Sequence, residues 1–171
     1  MIKSFKQLCD QGLSGWELHL AGGLGNEATS IEYFNQLKKD ASGYPIFFHV
    51  NEPRKVVVDL FFDSKIYWHA TGFGENKAKN PINFEHFGIT PVEAISAGCT
   101  PVLFNGGGLP EIIDELKLDR KLYLFDTVDQ LTQNTLKIIK QDKLLKYDTK
   151  KLDQAFGIDS FKTNFFQAIN S

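Results

Sequence analysis

WELHLAGGLGNEATSIEYFNQLKKDASGYPIFFHV, residues 16–50, is the stretch whose reading decides the fold. Residues 16–21 (WELHLA) have strand length and run into Gly22 and Gly23, residues 28–41 repeat their apolar positions at helical spacing, and residues 45–50 (PIFFHV) form a second short apolar run. Strand, glycine turn, helix and strand make a crossover unit, the connection that parallel pairing requires. Outward from it the alternation continues: helix 54–63, strand 65–69 (KIYWH), a long loop 70–89, helix 90–98, strand 100–104 (TPVLF), a Gly-rich turn, helix 109–116, strand 121–125 (KLYLF) and helical segments from 128 to the end. Such alternation predicts an α/β fold, a doubly wound parallel sheet with helices on both faces.

The chain opens differently from that pattern. Residues 2–11 place Ile2, Phe5, Leu8 and Cys9 at helical spacing, where a doubly wound domain normally starts with a strand. A leading strand is therefore expected to be missing. In the order 3-2-1-4-5-6 that strand is central, so its loss leaves two unpaired edges in mid-sheet, which must close on each other or be filled.

Composition narrows the partners. A chain of 171 residues, 42% hydrophobic and 23% charged, buries one sizeable core and is read as a single domain. A net charge of -2 gives no electrostatic footprint for nucleic acid. Cys9 and Cys99 lie among apolar neighbours outside any CxxC pair, as reduced core thiols do, and there is no apolar leader or membrane-length run. A cytoplasmic setting is the expectation.

Several motifs carry chemistry. Glu85 and Glu93 stand eight residues apart, with Gly88 between them and a helix opening on Thr90 and Pro91. Thr90 and Glu93 also have the spacing of a capping box, a structural role for the second carboxylate. Gly23-Leu-Gly25-Asn-Glu-Ala28 matches the dinucleotide fingerprint, with Glu52 as a ribose acid, so a nicotinamide-dependent oxidoreductase is one alternative. Against it, Glu52 lies beyond the usual spacing of about 20 residues, and Glu27 would face the pyrophosphate. Gly106-Gly107-Gly108 leads into a helix at Leu109-Pro110, where backbone amides meet anionic or polyhydroxyl ligands, or simply make a turn. His69 closes a strand and His86 follows the first Glu, both at the edge where such sheets bind ligands, whereas His19 and His49 fall inside strands as structural residues. No two histidines have metal-ligand spacing, and no metal is expected. The basic amphipathic run 136–146 reads as a solvated helix face.

Together, Glu85-His-Phe-Gly-Ile-x-x-x-Glu93-Ala-x-x-Ala-Gly98, the strand at Pro101-Val102 and Gly107-Gly108-x-x-Glu111 resemble the donor-binding half of glycosyltransferase family 4, the GT-B fold. Trp16–Gly22 and Ser64–Ala70 resemble that family's strands, so the likeness covers roughly residues 2 to 125. It implies a Rossmann-like domain, residues 1–171, that is one half of a GT-B enzyme, with the N-terminal acceptor domain absent. It implies transfer of a glycosyl group from a nucleoside diphosphate sugar of UDP or GDP type, with retention, without metal or other cofactor, and with the isolated chain inactive. By the same analogy Glu85, His86 and Glu93 are the catalytic set, Glu93 gripping the ribose hydroxyls and Glu85 the transferred sugar. The donor site would add Gly22, Gly23, Val50, Asn51, His69, Gly88, Ile89, Thr90, Gly107 and Gly108. The chemistry fits, because carboxylates accept vicinal hydroxyls with charge-assisted bonds. The family's diphosphate-binding Arg and Lys precede this chain's first residues, and Lys77 and Lys79 are candidate substitutes. A glycan or lipid-linked acceptor would sit on the missing domain, with the full enzyme peripherally at the cytoplasmic membrane face. A non-catalytic module with the same fold is the remaining alternative.

Overall fold

In a computed structural model, residues 1–76, 78–145, 149–157 and 159 are described. The elements follow as α1 (Ile2–Asp10), β1 (Leu18–Gly22), α2 (Ala28–Ala41), β2 (Ile46–Val50), α3 (Arg54–Asp63) and β3 (Ile66–His69). After a 3-10 turn at Pro81–Asn83 come α4 (Ile89–Ser96), β4 (Thr100–Phe104), α5 (Leu109–Glu115), α6 (Arg120–Tyr123), β5 (Leu124–Phe125), α7 (Val128–Lys140) and α8 (Thr149–Phe156). Within the helical run expected after 128, residues 141–145 are a turn and irregular chain and not helix, while 146–148, 158 and 160–171 lie outside the described residues. Every strand pair is parallel, as the crossover pattern predicts.

The strands form two sheets, β1-β2 and β3-β4-β5, and not a single continuous one. The two edges expected in mid-sheet have not closed on each other. A cavity of about 1030 Å3 lies between them, lined by β1 on one wall and β3 on the other.

The core is centred on β4. Val102 and Leu103 are fully buried with Ile95, Leu109, Ile113 and Ile138, and Phe125 and Leu131 are nearly so. A strand buried on both faces reads as a continuous apolar run, which is what TPVLF is. Helix α7 is tied down by polar contacts as well: Asn134 donates to the Leu124 carbonyl at 2.8 Å, and Trp68 donates to Thr135 Oγ1 at 3.1 Å. Sheet β1-β2 is more thinly covered. Phe34 of α2 packs edge-on against Phe48, but on the other face His19 stacks on exposed Phe47 and shares a 2.9 Å hydrogen bond with His49. The two histidines expected to be structural thus bond each other across the β1-β2 pair.

Cys9 and Cys99 are both free thiols. Cys99 donates to the Phe61 carbonyl at 3.1 Å, and burial pushes its pKa up to about 11, so it stays protonated in the core. One predicted strand is shorter than expected. Asp119 accepts from the Lys121 amide at 3.0 Å and turns residues 120–123 into a helical turn, leaving two residues of β5 to pair with Leu103 and Phe104. Among the described residues, no helix is long and apolar enough to cross a membrane.

Candidate functional site

The carboxyl ends of β3 and β4 meet the loop before α4, and there the Glu85 carboxylate is held from two directions. His69, the last residue of β3, contacts Glu85 Oε2 through Nε2 at 3.1 Å. The Gly88 amide donates to Glu85 Oε1 at 3.0 Å. Tyr67, two residues before His69 and so on the same face of β3, places its hydroxyl 3.0 Å from His69 Nδ1. Tyr67, His69, Glu85 and the start of α4 form one connected chain of hydrogen bonds.

Electrostatics assign the protons along that chain. Burial lowers the pKa of His69 more than the neighbouring Glu85 carboxylate raises it, so the ring is neutral near pH 7. For Glu85, burial works upward, but the Gly88 amide, His69 and the Phe87 amide outweigh it and leave the carboxyl below its ordinary value. Burial first, then the charge of Glu85 and lesser contributions including Glu93, pushes the Tyr67 phenol up. A protonated phenol and an ionised carboxylate permit one tautomer only. Tyr67 donates to Nδ1, and Nε2–H donates to Glu85.

The glycine turn after β4 explains how Glu85 is placed. The Gly108 amide donates to the Glu85 carbonyl at 2.8 Å. Gly107 has φ +63°, and a side chain there would run into the Glu85 carbonyl oxygen, while one on Gly108 would run into that of His86. Only bare backbone lets the turn lie against residues 85–86. The Gly108 amide is thus spent within the protein, as is that of Gly88.

Helix α4 starts one residue before the expected position. Gly88, in the left-handed conformation at φ +68°, is its N-cap, and no side chain caps it. The capping box of Thr90 and Glu93 does not form, because the left-handed glycine moves the helix start and puts Glu93 at its fifth residue. Glu93 instead pairs with Arg54 of α3. Ile89 and Thr90 head the helix, where amides have no acceptor within it, and exposed Phe87 and Ile89 flank Gly88 as an apolar rim. His86 is exposed, and among the described residues its side chain makes no hydrogen bond or ion pair.

The remaining predicted residues lie at the carboxyl end of the other sheet. Asn51, with φ +53°, accepts from the Leu24 amide at 2.9 Å and donates to the Leu24 carbonyl at 3.2 Å, and its own amide bonds the Gly22 carbonyl at 3.0 Å. It clips the Gly22–Gly25 turn after β1 to the end of β2 at Val50. Ala21, His69 and Thr90 line the same large cavity, whose carboxyl end opens beside the Glu85 cluster. Lys79 sits in an exposed turn, and Lys77 lies outside the described residues. Among the described residues no three His, Cys, Asp or Glu side chains gather as a metal would need.

Sequence reasoning missed two members of the site. The alternation of KIYWH puts Tyr67 and His69 on one face and so held a signal for Tyr67. Arg54 had none, since its contact joins residues 39 apart. A family model described as glycosyl transferases, group 1, matches residues 1–152. No curated protein and no solved structure matches the chain.

Proposed function

Because the chain belongs to the group 1 glycosyl transferases, we propose that it is the donor-binding half of a GT-B enzyme of family 4, taking a nucleoside diphosphate sugar. Membership makes it a transferase acting between a sugar donor and an acceptor, and lends the nicotinamide alternative no support. The observation that carries the finer reading is the Glu85 cluster: an ionised carboxylate locked by the Gly88 amide and a neutral histidine, at the carboxyl end of the sheet and the start of α4. A carboxylate so held has lone pairs to spare for sugar hydroxyls and pays little reorganisation when they arrive.

In this reading Glu85 orients the transferred sugar, with exposed His86 beside it. The Ile89 and Thr90 amides and the α4 dipole face the diphosphate and stabilise its charge as it leaves. Glu93 grips the ribose hydroxyls, exchanging or sharing its contact with Arg54. The Gly22–Gly23 turn, held by Asn51 at the end of β2, borders the nucleotide with Val50, and Gly107 and Gly108 act through the backbone of Glu85. Retention without a metal, a UDP or GDP donor, and a glycan or lipid-linked acceptor bound by a separate domain at the cytoplasmic membrane face complete the proposal.

Calorimetric titration with UDP, GDP, ADP and their sugars tests it. Saturable binding of one nucleotide, weakened at least tenfold by Glu93→Ala, is the expected result. Binding by none of them, or binding indifferent to that substitution, refutes it.

A further inference from the structure

Arg54 is the first residue of α3, just past the end of β2, and Glu93 is in the second turn of α4. Helices that follow parallel strands run back from the carboxyl edge of the sheet, so the opening turns of α3 and α4 lie nearest to that edge. From there Val58 and Phe62 of α3 and Val92 and Ser96 of α4 line a groove of about 260 Å3 between the two helices, and Arg54 and Glu93 stand at its head. The charge of Glu93 is felt at the Tyr67 phenol, as that of Glu85 is. Both carboxylates therefore act on one neighbourhood.

The contact between Arg54 and Glu93 is single and not forked: Arg54 Nη2 donates to Glu93 Oε1. A carboxylate has about four acceptor directions. Among the described residues no other group bonds Glu93, so Oε2 and one direction at Oε1 stay open to a ligand. Lys55, the next residue along α3, bonds Asp59 on its own helix and not Glu93. A glutamate on a helix surface turns about several torsions, and one that must accept two neighbouring hydroxyls gives up that freedom when the ligand arrives. A guanidinium already seated on Oε1 removes part of that loss beforehand.

We propose that Arg54 is a positioning residue for the nucleotide ribose: it keeps Oε1 of Glu93 when the ligand binds and holds the carboxylate with its open lone pairs toward the 2′- and 3′-hydroxyls. This rests on the reading of Glu93 as the ribose grip and adds the residue that aims it. The ligand so selected is a nucleoside diphosphate whose ribose carries both hydroxyls. Lysine is no substitute at this position, because a point charge on a flexible stem lets the carboxylate swing. Arg54 acts through Glu93 and needs no contact of its own with the nucleotide, which separates it from a cation that serves the diphosphate.

The test is calorimetric titration of the wild type, Arg54→Ala, Arg54→Lys, Glu93→Ala and the double variant with UDP, GDP and ADP, each beside its 2′,3′-dideoxy counterpart. Circular dichroism establishes that every variant is folded. Arg54→Ala is expected to weaken the ribonucleotide by about three- to tenfold, the equivalent of one net hydrogen bond. The dideoxy form should keep its affinity, Arg54→Lys should restore nothing, and in the Glu93→Ala background the loss of Arg54 should add nothing. An equal loss for both forms of the nucleotide, recovered by Arg54→Lys, overturns the inference, since Arg54 then serves the diphosphate. Tighter binding by Arg54→Ala also overturns it, since the guanidinium then blocks the ribose. An unchanged affinity in Arg54→Ala beside a loss in Glu93→Ala overturns the role of Arg54 alone and leaves the donor-binding reading in place. A folded wild type that binds none of the nucleotides overturns both.

Discussion

Replacing Gly107 by alanine measures how far the placement of Glu85 depends on a bare backbone. Gly107 lies at φ +63°, which costs an alanine roughly 1–2 kcal/mol by itself. The added Cβ also meets the Glu85 carbonyl oxygen and comes within 3.2 Å of the Glu85 carbonyl carbon and amide nitrogen. Relief requires the turn to lift, which breaks the 2.8 Å bond from the Gly108 amide to Glu85 and removes about 1 kcal/mol more. The sum is about 2–3 kcal/mol, a fall in melting midpoint of roughly 4–12 °C for a chain of this size. Gly74→Ala is the internal control, because Gly74 has φ +84° but open space around it and suffers the conformational cost alone. Thermal denaturation of both variants, followed by circular dichroism, separates the two effects. Nucleotide affinity, measured on the folded fraction, should drop for Gly107→Ala and hold for Gly74→Ala. If the two variants melt within about 1 °C of each other, the close packing of this turn on residue 85 is not what holds the carboxylate.

Other outcomes follow from the same cluster. His69 and Glu85 both have folded-state pKa values below the ordinary ones, so each contributes stability that is present at neutral pH and lost on acidification. The loss begins as pH falls below about 6.5 for His69 and below about 4.5 for Glu85. His69→Gln should flatten the urea-derived stability profile just below pH 6.5; an unchanged slope there refutes the neutral assignment. Tyr67→Phe leaves His69 Nδ1 without its hydrogen-bond partner and should cost about 1–2 kcal/mol in urea denaturation; no loss would refute that contact. Arg54→Ala removes a largely exposed ion pair, worth about 0–1 kcal/mol, and should move the melting midpoint by no more than about 4 °C; a larger fall would mean that the pair joins α3 to α4 structurally.

The elements legible beforehand were those whose evidence is local. Strand length and helical period placed β1 to β4 and their helices to within a few residues, and the helix at the very start foretold the gap in the sheet. The errors came where one polar residue or one backbone angle decides. Asp119 converted half of a predicted strand into a turn, and the left-handed Gly88 moved the start of α4 so that Glu93 found Arg54 and not a capping partner. At the site, residue types and spacing picked out Glu85, His69 and the triple glycine. The wiring among them was hidden, because the contact of a carboxylate with a histidine 16 residues away is made by the loop and not by any periodicity. The contact of the glycine turn with the Glu85 backbone was hidden for the same reason, since it joins residues far apart in the chain.

The break between β1-β2 and the β4-centred core also divides the molecule by amide exchange. Backbone protons of β4 lie in a layer buried on both faces and exchange only with global unfolding, whereas β1 and β2 share one ladder under a thin cover. Opening that pair requires no break in the three-stranded sheet, because among the described residues no ladder bond joins them. The protein should therefore exchange in two tiers, with residues 18–22 and 46–50 released well before 100–104.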